Sequence, residues 1–204
     1  MTVYELIRSR RSVRSFKPQP VPEEALGRMV DAARLAPSGA NLQPLRYLVV
    51  TDPAKRAEVF AHLKWAAYIQ PAGDPAPGHE PMAYVIVLVD ERKANQAIFR
   101  YDVGHSTENL LLAGLAEGVA GCLLKAFDPK KVALSFGLPE YLRPDLVVAL
   151  GYPDETPVFV DRSDVVKYWR DEKGVHVVPK VPLAEVMFLN SVPPEKKDEE
   201  PKAG

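Results

Sequence analysis

Between positions 8 and 17 the chain carries Arg8, Arg10, Arg11, Arg14 and Lys17 with no acid among them, a local positive excess that calls for an anion. Guanidinium groups present planar donor forks matched to phosphate oxygens, and Ser12 adds a hydroxyl. Arg10-Arg11-Ser12-x-Arg14 is therefore suited to grip one phosphate and a neighbouring acceptor. The same spacing also fits a solvated basic helix end that complements the helix dipole. A second group follows in Pro37-Ser38-Gly39-Ala40-Asn41-Leu42-Gln43-Pro44, where proline-bounded backbone carries three side chains with donors and acceptors for the edge of a heterocycle. Read locally, this stretch is equally a helix stop with Asx-type turns.

Other chemistry-bearing residues are scattered. His62, His79, His105 and His176 show no ligand spacing such as paired histidines one helical turn apart, so they read as structural or surface groups. Cys122 falls in an apolar run, where a buried, inert thiol is expected. Gly114, Gly118 and Gly121 do not form the glycine fingerprint of a Rossmann dinucleotide site. Trp65, Tyr68 and Trp169 can line a pocket or pack in a core, and Lys64 can reach a ligand edge or cover a helix face.

Composition bounds what these groups serve. The 204 residues hold 26 Lys and Arg against 27 Asp and Glu, so no global basic field exists for nucleic acid or anionic lipid, and any anion site must be local. A lone cysteine excludes an intramolecular disulfide framework and a multi-thiolate metal centre, and points to a reducing compartment. No stretch approaches the roughly 20 apolar residues of a membrane span, and the acidic, amphipathic start is no leader, so a cytoplasmic protein is expected.

Elements can then be placed around the two groups. Thr2 and Glu5 form a capping box for a short helix through Ser9, which delivers the basic turn. Glu23-Glu24 open a helix with Leu26, Met29, Val30 and Ala33 on one face, ending before Pro37. Strands are expected at Arg46–Thr51, Tyr84–Val89, Val119–Ala126 and Asp145–Leu150, with helices from Pro53, from Asn95 to Glu117 as an apolar central helix, and from Asp128-Pro129. Residues 70–81 read as a loop. The order mixes α and β within a single expected domain over residues 1–192, in which periodicity fades after Pro153. The stretch 155–190 reads as an arm whose Phe159, Tyr168, Trp169, Met187 and Phe188 need cover, most simply from a second subunit. Residues 193–204 are polar and expected to be disordered.

Taken together, Arg10-Arg11-Ser12-x-Arg14-x-Phe16 followed by Ala36-Pro37-Ser38-x-x-Asn41-x-Gln43-Pro44 resembles the flavin-dependent nitroreductase family. The resemblance continues through Asn109–Ala113, Glu117–Cys122, Phe127-Asp128-Pro129, Phe136–Glu140 and Leu150–Pro153, covering residues 3–190. Tyr168–Glu172 with Val175–Lys180 resembles a subgroup with a longer C-terminal arm. It implies an α+β fold with a central mixed sheet flanked by helices, in an intertwined homodimer with one FMN at each of two interface sites and NADH or NADPH as transient donor. By position, Arg10, Arg11, Ser12 and Arg14 would hold the phosphate, ribityl chain and pyrimidine edge. Arg14 would stabilise negative charge on the reduced ring. Pro37, Ser38, Asn41 and Gln43 would approach from the other subunit, and Lys125-Ala126 would present backbone to the N5 side.

Two departures qualify that transfer. The family's C-terminal phosphate motif is reduced here to Lys180 within Val178-Pro179-Lys180-Val181-Pro182, leaving Arg162 or Lys167 as replacements, and Lys125 stands where members vary in charge. The resemblance implies ping-pong electron transfer through flavin N5 from NAD(P)H to a small planar acceptor, a nitroaromatic or quinone. The rivals are a dehalogenase or flavin-handling relative with a distinctive lid at residues 66–81 and 155–176, a non-catalytic flavin-binding or redox-sensing protein, and a dimeric anion-binding protein.

Overall fold

A computed structural model describes residues 2–71 and 73–192, and the tail expected to be disordered, 193–204, lies outside them. Leu45–Val50 (β1), Ala83–Asp90 (β2), Ala120–Leu124 (β3) and Leu142–Gly151 (β4) make one sheet in the order β1-β2-β4-β3. β2 is the hub, with every residue buried. Its Val85, Val87 and Val89 enter the core on one face, and Tyr84, Ile86 and Leu88 enter it on the other. Each such side chain stabilises the fold by about 1.5–3 kcal/mol.

The first face is covered by α2 (Glu23–Arg34) and α4 (Phe99–Ala116), through Leu26, Met29, Leu110 and Leu111. Gly114 permits this contact: a Cβ there would lie 2.5 Å from Met29 Cε. The second face is covered by α3 (Pro53–Ala61), α5 (Pro129–Ser135), Leu63 and Trp65. Asp52 and Asp128 cap these two short helices, each with proline in the first turn. The expected capping box at Thr2 and Glu5 is present on α1 (Val3–Ser9).

The structure corrects three details. The four strands pair antiparallel throughout, so the mixed character expected of the sheet enters only at its edge, where Ser12 bridges Gly121 of β3 in parallel. Strand direction leaves no trace in a continuously apolar strand such as β2, which reports only that both faces are covered. The helix α4 is not apolar around most of its surface: Asp102, Ser106 and Thr107 are buried while Tyr101 is 66% exposed. The hydroxyls of Ser106 and Thr107 are satisfied by donating to the Val103 carbonyl, which lets polar residues occupy the buried side. Its first turn also starts at Phe99 rather than Asn95, because the Asn95 side chain accepts from Ala97 N–H in a turn.

Residues 155–180 are the third correction. They do not extend away as an arm reserved for another subunit, but form a small sheet in the order β5-β7-β6 from Val158–Asp161 (β5), Trp169–Arg170 (β6) and His176–Lys180 (β7). This sheet lies on the chain's own basic turn. Strands of four, two and five residues are too short to display a period. After α6 (Leu183–Val186), Met187, Phe188 and Leu189 remain exposed, as do Val3, Tyr4 and Ile7 of α1. Among the described residues no helix is long and apolar enough to cross a membrane, and no cluster suits a metal ion.

Candidate functional site

The basic turn runs from the end of α1 onto the edge of β3. Arg10 pairs with Glu108 of α4 at 2.9 Å. Val13 N–H donates to Gly121 O at 3.1 Å, which seats Ser12 against the strand. Arg11 donates to the carbonyls of Arg8 and Arg10, and its guanidinium lies 4.4 Å from the Phe159 ring centroid. Burial, then the charges of Arg10 and Arg8, lower its pKa below the usual value. Arg10 and Arg11 are thus half-buried, each held against another part of the chain rather than dispersed in solvent. Beside them lies a cavity of about 170 Å³ lined by Ser9, Arg10, Arg11, Gly121, Glu155 and Thr156.

Arg14 is held by the arm. Its N–H donates to Glu155 Oε1 at 2.6 Å, its Nη1 lies 3.3 Å from His176 Nδ1, and its Cζ sits 5.4 Å from the Tyr168 ring centroid. Arg170 completes the clamp by donating to Glu155 Oε2 at 3.1 Å. Arg14 Nε and His176 Nε2 are both buried without a hydrogen-bond partner among the described residues. Buried donors left unmade are costly, so this corner is built for an acceptor from outside the chain.

The loop after α2 is constrained in a different way. Ala40, Asn41 and Gln43 have φ of 48°, 55° and 49°, left-handed values that non-glycine residues rarely adopt. Gly39 N–H donates to Asp102 Oδ1 of α4 at 2.9 Å, and Gln43 N–H to Ser38 Oγ at 3.1 Å. A Cβ at Gly39 would lie 2.2 Å from Ile98 Cδ1, so a larger residue there would have to displace the Ile98 side chain. Strain of this kind persists where its surroundings over-determine it, and it gathers at functional sites. Pro37, Ser38 and Gln43 line a cavity of about 310 Å³ with Arg46, Tyr47 and Asp102, and Asn41 is exposed.

The turn and the loop are not brought together within one chain. The turn docks on Glu108 and the loop on Asp102, six residues apart on α4. That separation is about 9 Å along the helix axis and about 120° around it. Lys125 stands just past the far end of β3, about 13 Å from Gly121 at strand rise. Its ammonium donates to the carbonyl and carboxylate of Asp145, and Ala126 O accepts from Lys64 N–H at 2.9 Å. Burial opposes ionisation of Asp145, but hydrogen bonds from Lys125 and Arg143 outweigh it and hold the carboxyl below its usual range. Lys180 is exposed at the end of β7, two residues beyond Val178, whose strand partner Phe159 carries Arg11. Arg162 forks onto Asp164, and Lys167 lies 5.9 Å from the Tyr68 ring, so neither of these suggested replacement cations is seen at the turn. Cys122 is buried and pushed up to about 12, first by burial, as befits an inert thiol.

Sequence reasoning missed Glu155, Tyr168, Arg170 and His176 as neighbours of Arg14, and Asp102 as the anchor of the loop. The one available signal was the arm segment Tyr168–Lys180, which carried family resemblance but no period.

Comparison with known proteins identifies the class. The Nitroreductase family model matches residues 7–152. An NADH dehydrogenase of Thermus thermophilus is 34% identical over 177 residues, spanning 72% of this chain and 84% of the relative. A 5,6-dimethylbenzimidazole synthase of Rhodobacter capsulatus is 28% identical, spanning 76% and 86%. A Desulfovibrio desulfuricans protein described as a nitroreductase, solved in complex with FMN, superposes with a TM-score of 0.70 at 24% identity, covering 95% of this chain and 99% of that one. The chain belongs to the nitroreductase family, a class of NAD(P)H-dependent flavin oxidoreductases.

Proposed function

We propose that the chain binds FMN between two copies of itself and uses it to carry electrons from NADH or NADPH to a small planar acceptor, a quinone or nitroaromatic. One observation carries this reading: the buried, partnerless donors of Arg14 and His176 adjoin the half-buried cations Arg10 and Arg11 of the basic turn. That donor set fits a ligand with a phosphate at one end and a polar heterocycle edge at the other. Bound FMN would supply hydride acceptance and electron release, which no side chain here can perform. Arg10, Arg11 and Ser12 would hold the phosphate, helped by Lys180, and Arg14 would face the pyrimidine edge. Lys125 and Ala126 would offer backbone near the ring. Pro37, Ser38, Asn41 and Gln43 would reach the same flavin from the second copy, which accounts for their separation from the turn within one chain. The exposed apolar residues of α1 and of 183–189 supply surface for that homodimer.

The acceptor is tested by reducing the FMN-loaded protein anaerobically and mixing it with a simple quinone or nitroaromatic. Rapid reoxidation at saturating acceptor supports the assignment, and a flavin that stays reduced in both mixtures removes it. A second reading, chemistry beneath a closed lid as in a flavin-handling relative, gains support from the contact of Tyr68 with Tyr168 at 5.1 Å, which joins the two segments that would form the lid. It predicts turnover without release of reduced product to a free acceptor.

A further inference from the structure

The short sheet of the arm delivers a single histidine to the guanidinium of the basic turn. His176 is 1% exposed, with Nδ1 3.3 Å from Arg14 Nη1. A guanidinium only donates, so Nδ1 is the acceptor of this pair and the neutral ring carries its proton on Nε2. That Nε2–H is buried without a partner among the described residues, and so is the Nε–H of Arg14. A core histidine serving packing alone rarely leaves its buried donor unpaired. The pair is also fixed in place: the Tyr168 ring lies 5.1 Å from the imidazole, tilted by 51°, and 5.4 Å from Arg14 Cζ, and Glu155 anchors the Arg14 backbone.

We propose that His176 is a positioning residue of the flavin site: by accepting from Arg14 Nη1 through Nδ1 it holds the guanidinium so that the partnerless Arg14 Nε–H faces a polar edge of the bound cofactor. The matching ligand chemistry is a planar ring edge that presents a carbonyl oxygen or ring nitrogen acceptor to the guanidinium. The arm thereby completes the site from within the same chain. The inference rests on the reading that Arg14 faces FMN. Burial and the neighbouring charges of Arg14 and Arg170, opposed by Glu155, keep the imidazole neutral, the form this geometry requires.

The test compares wild type, His176→Phe, His176→Asn, Arg14→Ala and the Arg14→Ala/His176→Phe double variant. The readouts are FMN dissociation constant, flavin midpoint potential and melting temperature of the apoprotein. Phenylalanine keeps the ring contact with Tyr168 and removes both nitrogens. It is expected to weaken FMN by about tenfold, the worth of one charge-assisted hydrogen bond, and to lower the midpoint potential. Asparagine keeps an acceptor near Nδ1 and is expected to retain a potential between those of wild type and His176→Phe. This second variant reads the same effect where the first does not fold. Because His176 acts largely through Arg14, the double variant is expected to bind no more weakly than Arg14→Ala alone. Wild-type affinity and potential in His176→Phe would overturn the proposal while leaving FMN binding intact. Wild type that takes up no FMN removes the flavin site and this proposal together.

Discussion

Arg14 is the residue that the arm holds and that the proposed reading turns toward the cofactor. Its replacement by Ala removes a charge-assisted donor worth about 1.5–3 kcal/mol, which corresponds to a loss of FMN affinity of roughly ten- to a hundredfold. The midpoint potential is expected to fall with it, since the fixed cation no longer stabilises charge on the reduced ring. Fluorescence titration of the apoprotein and dye equilibration measure the two effects, and unchanged values of both would take Arg14 out of the site. His176 gives a pH signature. Burial first, then the charge of Arg14, push its pKa down to about 4, with Glu155 opposing and Arg170 adding. An unfolded imidazole titrates near 6.5, so between about 6.5 and 4 the unfolded chain binds the extra proton. The stability His176 contributes is therefore present above pH 6.5 and lost as pH falls toward 4. Melting curves of wild type across this window are expected to drop more steeply than those of His176→Phe. Parallel curves would mean that the ring is not held neutral in the fold.

The loop Ser38–Gln43 and the arm sheet are the elements proposed to serve the cofactor, and neither carries a sequence period. Asp102 secures the loop by accepting from Gly39 N–H, against the cost of three left-handed residues. Asp102→Ala is expected to lower stability by about 1–3 kcal/mol and to weaken FMN, whereas Asp102→Asn keeps an accepting Oδ1 and stays nearer wild type. Denaturant melts and flavin titration of the two variants separate these outcomes, and equal behaviour of Ala and Asn would show that the bond does not hold the loop. The regular elements were largely legible beforehand. The continuous apolar run Tyr84–Val89, the helical spacing of Leu26, Met29 and Ala33, and the Asp-Pro starts of α3 and α5 each follow from a physical signal at their own positions. The type and order of Arg10, Arg11, Ser12, Arg14, Ser38, Asn41 and Gln43 were equally readable as ligand chemistry. What could not be read was pairing at a distance. Antiparallel direction, the role of Asp102 beneath the loop, and the return of Glu155, Tyr168 and His176 to Arg14 depend on tertiary contacts across stretches too short to show periodicity.

At the scale of the whole molecule, the account requires two chains. The basic turn and the loop dock on different sides of α4, and in the proposed reading a complete cofactor site takes one from each copy. Arg14→Ala protein and protein with Asn41 and Gln43 both changed to Ala are each expected to bind FMN weakly. Dissociating and reassociating them in equal amounts is expected to restore about a quarter of the wild-type tight sites, because half the dimers are mixed and each mixed dimer holds one intact site. No recovery, with mixed dimers present, would place turn and loop at separate sites. The central claim, a flavin electron carrier, is tested most directly by incubating the protein with FMN, desalting it, and titrating the yellow product anaerobically with NADH and with NADPH. The account predicts about one retained flavin per chain, bleached by at least one of the two donors. A colourless protein, or a retained flavin that neither donor bleaches, would contradict it.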